Sequence, residues 1–505
     1  MKKTFLYTLL LGASLSLSSC GKDFLNITQV DKLTGNNYWT SKDDVDQYMG
    51  GIYSTFRSAT MSNIFFPASG DMRCAPVNRT SATSGAGRDY ISYLRQNNLN
   101  AIIARSPEEV DNNFSYFGFP KITKWNEFYK MVQNANILCY QIDNKDMPFL
   151  SEEQKKAYKA EAIFMRSLAY FFMVRLYGDV PYYTTVNTDP LPRTNMVTVL
   201  KNIAADLDAT SADLPWTYDD PSIVAVKAMR GSALALNMHV NMWIAGFTTE
   251  GKQQYYERVA DMGKELMEEN GGAYELLSLS RTKEIFKGRT KEGLFEIVQN
   301  FNYGESFHLS AAYSDYVLHA PNKVTTKSYI YYDPKFMEKM YPAAEQDARK
   351  LYWFDEDIYA TNGDFQCLKF ANVFMEEGED NNPDDNQTVF RYSDPILLRA
   401  EALAELDRDE EARNVVNVIR RRAEASIISD SGDDLKDAIW WERVRELLGE
   451  GNFYYDLVRT KKVIKSEYTT AAMSVGAFNA GGWTWPIDKS ALVNNPFMRL
   501  NNYWN

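Results

Sequence analysis

Histidine and cysteine are scarce in this chain: three and four among 505 residues. That scarcity removes several chemistries at once. No H-E-x-x-H occurs, so the zinc-protease signature is missing. No G-x-S-x-G or G-x-x-x-x-G-K-[ST] occurs, so there is neither a nucleophile elbow nor a phosphate loop. No pair of cysteines has C-x-x-C spacing. Beyond Cys20, Cys74, Cys139 and Cys367 allow at most one disulfide with one thiol left over, and they are read as three isolated, mostly buried thiols. Past the first twenty residues no apolar run approaches the roughly 20 residues that span a bilayer. Basic excess is missing too. The formal charge is −12, and an acidic surface repels phosphate backbones, which excludes nucleic acid as a partner. Of the histidines, His239 falls in a helix of apolar residues and is read as a core or interface residue. His308 and His319 fall among aromatics, where they could bond a ligand.

What is present begins at the start of the chain. Lys2 and Lys3 precede a stretch from Phe5 to Leu17 that is apolar apart from small or hydroxyl residues. Leu17-Ser18-Ser19-Cys20 then closes it. A positive head, a short apolar stretch and small residues leading into a cysteine describe a lipoprotein signal, residues 1–19, with Cys20 as the lipid attachment site. Acyl chains are worth about 0.8 kcal/mol per buried methylene, and two or more hold stably. The expectation is a chain tied to a membrane without crossing it. Cleavage before Cys20 removes two lysines and no acid, leaving residues 20–505 still more acidic.

After a polar tether from Gly21 to about Asn37, helical periodicity dominates. A helix is predicted after Thr40 or Ser41, with Asp43 and Asp44 in its first turn and Val45, Tyr48, Met49, Ile52 and Phe56 on its core face. Trp125–Ile142 with Glu152–Tyr177, and Lys227–Gly246 with Gln254–Asn270, read as helical pairs. Pro395–Ala425 reads as helix, Asp407-Arg408-Asp409 turn, helix, with alanines at the crossing, the pattern of a tetratricopeptide unit. Thr198–Leu214 is a further helix whose expected partner is the first one. The reading is mostly α: a helical-repeat scaffold over about 40–58, 122–270 and 394–460. It is interrupted by stretches 58–120 and 271–391, rich in aromatics, Asn, Ser and Gly, where loops and short strands such as Leu294–Gln299 would carry binding residues. The whole of 20–505 is read as one domain.

Several segments carry motifs that together point to a single family. Glu161–Tyr183, EAIFMRSLAYFFMVRLYGDVPYY, is similar to its signature helix and Tyr-Gly-Asp-Val-Pro turn. Arg391–Leu406, RYSDPILLRAEALAEL, and Asn417–Ala423, NVIRRRA, resemble two further segments. Trp441–Arg459, WERVRELLGEGNFYYDLVR, resembles a third, with Tyr454 where arginine is usual. WPIDKSALVNNPFMRLNNYW resembles the family's tail. The matches run in family order, and through them the chain resembles the SusD/RagB family of outer-membrane nutrient-binding lipoproteins. The resemblance implies tetratricopeptide-like repeats carrying a ligand-binding half. It also implies a TonB-dependent transporter barrel as partner, at the outside of the outer membrane, and delivery of glycans or, in one branch, peptides. Arg166 and Glu161 are expected to form pairs between repeats. Gly178 is expected where the helix needs a left-handed residue, and Pro181 where it cannot continue.

A sugar offers a C–H face to rings and a hydroxyl rim to Asn, Asp and Arg. Aromatics make up 14% of the chain, with 32 Tyr, and they give large contact area at low entropic cost. By position and type the ligand-binding candidates are Arg73, Arg88, Tyr90 and Tyr93 from the first stretch, and Tyr303, Phe307, His308 and Tyr313 from the second. The acidic run Glu376–Asn386 could recruit calcium but does not fit an EF-hand loop, and it reads as solvated. No catalytic residue, cofactor or metal ligand is assigned. The leading expectation is a non-enzymatic glycan-binding lipoprotein. Peptide capture is the alternative, and a surface glycoside hydrolase stands behind it.

Overall fold

The structure, a computed structural model, describes residues 38–62, 64–83, 86–103, 119–187, 189–300, 313–322, 325–371, 385–493 and 495–504, with backbone only at 86–89, 103, 119–120 and 314–315. The signal segment, the tether and Cys20 lie outside these residues.

Helix α1, Lys42–Met61, begins at Ser41, whose hydroxyl and main-chain N–H exchange hydrogen bonds with Asp44. Val45, Met49, Ile52 and Phe56 are buried along one face, as their spacing requires. Helix α2, Asn126–Asn144, and helix α3, Glu152–Tyr177, form a hairpin. Ser151 and Gln154 cap α3 reciprocally, and every residue from Phe164 to Tyr177 is buried. A helix apolar on all sides must be covered on all sides. Accordingly α1, α2 and helix α4, Met196–Thr210, all pack on α3. The helix stops at Gly178, whose φ of +73° suits glycine.

The array continues through α5, Arg230–Phe247, α6, Lys252–Glu268, α7, Ser393–Glu405, α8, Asp409–Arg422, α9, Gly432–Glu446, and α10, Phe453–Arg459. From α2 to α8 each helix packs on its successor, and α9 packs on α7 and α8. That nearest-neighbour order is a helical repeat. One expected pairing is corrected: α1 packs on α2 and α3, while α4 sits between α3 and α5. An apolar stripe does not name its partner, and the chain neighbours on either side claimed α4 first.

The signature residues work as cross-braces. Glu161 accepts from the Tyr53 hydroxyl at 2.7 Å, and Arg166 bridges Asn136 and Asp206, each at 2.8 Å. His239 lies 2.6 Å from Asp394 in the interior between α5 and α7.

The insertions add two small antiparallel sheets. Strand β1, Val77–Arg79, pairs with β3, Ile330–Tyr332. Strand β2, Gly293–Ile297, pairs with β4, Gln387–Arg391, across a bulge. The second insertion is fastened to the scaffold by buried ions. Arg391 meets Glu292 at 2.5 Å, Glu446 at 2.7 Å and Glu450 at 2.7 Å. Arg349 meets Asp347 at 2.7 Å and Glu442 at 2.8 Å, and Lys369 meets Glu450 at 2.6 Å. The first insertion is fastened by close approach: a Cβ on Gly70 would stand 2.3 Å from the Gly451 carbonyl oxygen.

Candidate ligand-binding face

The two aromatic-rich stretches, some 250 positions apart, meet as one face through β1 and β3. Side chains alternate across this ribbon. Val77, Ile330 and Tyr332 point to the core, while Asn78 and Tyr331, directly opposite one another in register, are half-buried on the outer side. Arg79 at the strand end is exposed. A ring and an amide thus share one patch on a short rigid support, able to stack on a C–H face and to bond hydroxyls, while Arg79, opposite Ile330, falls on the other side of the ribbon. Sequence reasoning missed Asn78 and Tyr331. The signal, a three-residue alternation in each strand, is too short to read without the register.

Beneath the patch lies a set of tyrosine pairs. The Tyr90 hydroxyl is 2.9 Å from that of Tyr316, and the Tyr313 hydroxyl touches that of Tyr332. Burial pushes the Tyr313 and Tyr332 phenols well up, so both stay neutral and can share a hydrogen bond.

This placement corrects part of the expectation. Arg73, Tyr90 and Tyr313 were assigned to ligand-facing loops, yet they are 0, 1 and 2% exposed. Arg73 donates to Asn97 Oδ1 at 2.8 Å and to the carbonyls of Gly482 and Thr484 at 2.9 and 3.1 Å. Its guanidinium lies 4.4 Å from the centre of the Tyr454 ring, the position where the family pattern has arginine. These residues brace the face from behind. Tyr93 is half-buried near them. The side chain of Arg88, and Tyr303, Phe307 and His308 altogether, lie outside the described residues, as does most of Glu376–Asn386. His319 is half-buried with both ring nitrogens against main-chain carbonyls, Ala320 at 2.8 Å and Asp364 at 2.7 Å, so its polar atoms serve the loop.

A separate open cleft of about 460 Å³ runs between the end of α3 and the C-terminal segment. Phe247 and Phe478 stack in it, 6.1 Å apart. Its polar groups are turned inward: Arg193 donates to the carbonyls of Asp179 and Tyr177 at 2.6 and 2.9 Å, and Asp179 accepts from the Met196 N–H at 2.8 Å. It is the joint that closes the signature turn against the tail.

Among the described residues no group of three or more His, Cys, Asp or Glu is placed to hold a metal ion. Cys74, Cys139 and Cys367 are free thiols. Burial pushes Cys74 up to about 12 and Cys367 to about 11, which keeps both protonated and unreactive.

The same architecture recurs in known proteins. The family model described as the SusD family matches residues 354–504. A second, described as starch-binding associating with outer membrane, matches residues 79–240. A SusD homolog from Bacteroides thetaiotaomicron, solved by crystallography, is 42% identical over 93% of this chain and 99% of its own, with a TM-score of 0.84. SusD-like protein P38 of Formosa agariphila is 24% identical and is matched over 99% of this chain and 98% of its own. A laminarin-binding SusD-like protein shares the fold at 20% identity and a TM-score of 0.66, over 92% of this chain and 99% of its own. The chain belongs to the SusD family. The mostly α fold expected from the periodicity is the fold found.

Proposed function

We propose that this protein captures a glycan on the face where its two insertions meet and hands it to a TonB-dependent outer-membrane transporter. It does so from a diacylglyceryl anchor on Cys20, at the cell exterior, without breaking bonds in the ligand. The observation that carries this reading is the register of β1 against β3, which joins Asn78 and Tyr331 into one ring-and-amide patch at the outer side of the insertions. Family membership, the starch-binding description of the model over residues 79–240 and the laminarin-binding relative support a carbohydrate as the ligand. Stacking is geometrically loose, so affinity per site is modest, which suits a protein that releases what it binds.

Calorimetry of the mature chain against laminari-, malto- and xylo-oligosaccharides tests this. The expected result is saturable binding of one series, with the ligand recovered intact. Tyr331→Ala and Asn78→Ala should each weaken it about tenfold while leaving the melting temperature unchanged. Silence across the glycans together with binding of mixed peptides would replace the glycan by a peptide. Mass spectrometry of the membrane-extracted protein should show an acylated Cys20 as the first residue. An unmodified N-terminus upstream of it removes the anchor.

A further inference from the structure

The scaffold holds a concavity whose lining, among the described residues, includes none from either insertion. It has a volume of about 250 Å³ and opens between the end of α5, the first turn of α6, the end of α7, α9 and the turn after α10. Six cations line it, Lys252, Lys436, Arg459, Lys461, Lys462 and Lys465, against the two carboxylates Glu401 and Glu405. In a chain of formal charge −12 this is a strong local reversal of sign.

Three of the cations have partners. Arg459 grips Glu401 at 2.5 and 2.8 Å and Asp456 at 2.7 Å. Lys462 meets Asp437 at 2.8 Å and lies over the Tyr468 ring. Lys436 stands 3.8 Å from Glu405 and 3.7 Å from Asp433. The other three, Lys252, Lys461 and Lys465, have no carboxylate within 4.0 Å among the described residues. Lys461 is also held at a φ of +58°, a left-handed conformation that lysine adopts at a cost of about 1 kcal/mol or more. That turn sets two consecutive lysines at the rim. The floor is apolar, with the half-buried Tyr256 ring beside Met242 and Trp440.

Unpaired ammonium groups around a concave, ring-floored site focus positive potential on whatever enters it. The volume falls just below the usual range for small-molecule sites, about 300 Å³ and upward, which sets the occupant at one sugar-sized unit. We propose that this pocket binds an acidic monosaccharide unit. Its oxyanion, a uronate carboxylate or a sulfate ester, is held by Lys252, Lys461 and Lys465, and its ring faces Tyr256. The site is separate from the insertion face, so glycan capture there stands or falls on its own.

The test is calorimetry of the mature chain at low salt with glucuronate, glucose 6-sulfate, glucose and inorganic sulfate. Saturable binding of glucuronate, of glucose 6-sulfate or of both, with none of glucose, is expected, and which of the two binds identifies the oxyanion. The Lys252→Gln/Lys461→Gln double variant should weaken that binding at least tenfold, with an unchanged melting temperature and unchanged oligosaccharide binding at the insertion face. Absence of binding by both acidic sugars overturns the proposal, as does undiminished binding by the double variant. Inorganic sulfate binding as tightly as the sugar sulfate overturns it as well, because the floor then recognises no sugar.

Discussion

Two buried arginines show how differently the two halves of the molecule hold charge. Arg175, among the N-terminal helices, lies 4.5 Å from the ring centres of Phe171 and Phe172 and 4.1 Å from that of Tyr455. No carboxylate is within ion-pair reach of it among the described residues, and burial pushes its guanidinium down to about 10. Arg391, where the second insertion joins the scaffold, meets three carboxylates between 2.5 and 2.7 Å. Burial opposes its charge too, but Glu450, Glu446 and Glu292 outweigh that and hold it well above the usual range. Ring faces are broad and soft, so the N-terminal seam tolerates rearrangement. Carboxylates are directional and cannot be left alone in a dry interior, so the joint is an all-or-none lock. The lock ties β4 and the segment before β2 to the end of α9 and the turn after it.

The sharpest way to break this comparison is to make the same substitution at both sites. Arg391→Met removes the one cation that touches all three of Glu292, Glu446 and Glu450, leaving them to Arg422, Arg349 and Lys369, and should lower stability by about 3–5 kcal/mol at neutral pH, read by urea unfolding. A loss under about 1 kcal/mol at neutral pH would show that the joint is not a lock.

The next largest effect concerns an acid matched to dipoles instead of cations. Glu296 on β2 accepts from the Asn386 amide at 2.8 Å and the Arg289 N–H at 2.9 Å, and burial pushes it up to about 7 from 4.5. A carboxyl with a raised folded pKa keeps its proton longer in the folded than in the unfolded chain. Its stabilisation is therefore full below pH 4.5 and is lost as the pH climbs to about 7. Glu296→Gln keeps an acceptor and removes the charge. It should stabilise the protein by roughly 1–3 kcal/mol at pH 8 and by little at pH 4.5. A difference that stays flat between those values would refute the assignment.

Why the scaffold was legible and the binding half was not follows from the same contrast. Helix α3 could be bounded to the residue because its signals are local: Ser151 and Gln154 at one end, Gly178 at the other, and an apolar run between. The joint is built from Glu292, Lys369, Arg391 and Glu446, whose charged partners lie tens of residues away and carry no local mark. Arg73 misled for a related reason. An arginine in a stretch of Asn and Ser looks exposed, and nothing nearby announces that Tyr454 and the carbonyls near Thr484 will enclose it. In the candidate face, Asn78 and Tyr331 gain their meaning only from a register between strands of three residues.

Arg175→Met carries the second half of the comparison and a smaller number. Removing a cation that rests on ring faces leaves no buried opposite charge behind, and a thioether makes favourable contacts of its own with rings. Stability should move by no more than about 1 kcal/mol in either direction. A loss above about 3 kcal/mol would mean that the three rings act as a counter-charge in full, and the distinction between the two regions would fail.

Water supplies the third setting for a guanidinium and the smallest effect. Arg258 on α6 contacts Asp208 on α4, with both side chains 41% exposed. Asp208 also accepts from Asn237 at 2.7 Å, and Arg258 donates to Asn241 at 3.1 Å. Each group therefore keeps a neutral partner and access to solvent when the other is removed. A double-mutant cycle of Arg258→Ala and Asp208→Ala should give a coupling of at most about 0.5 kcal/mol, falling further with added salt. The contact between these two residues is no longer than those of Arg391 with its carboxylates. If their coupling nevertheless approached that of Arg391 with its carboxylates, distance and not burial would be what sets the strength of the lock.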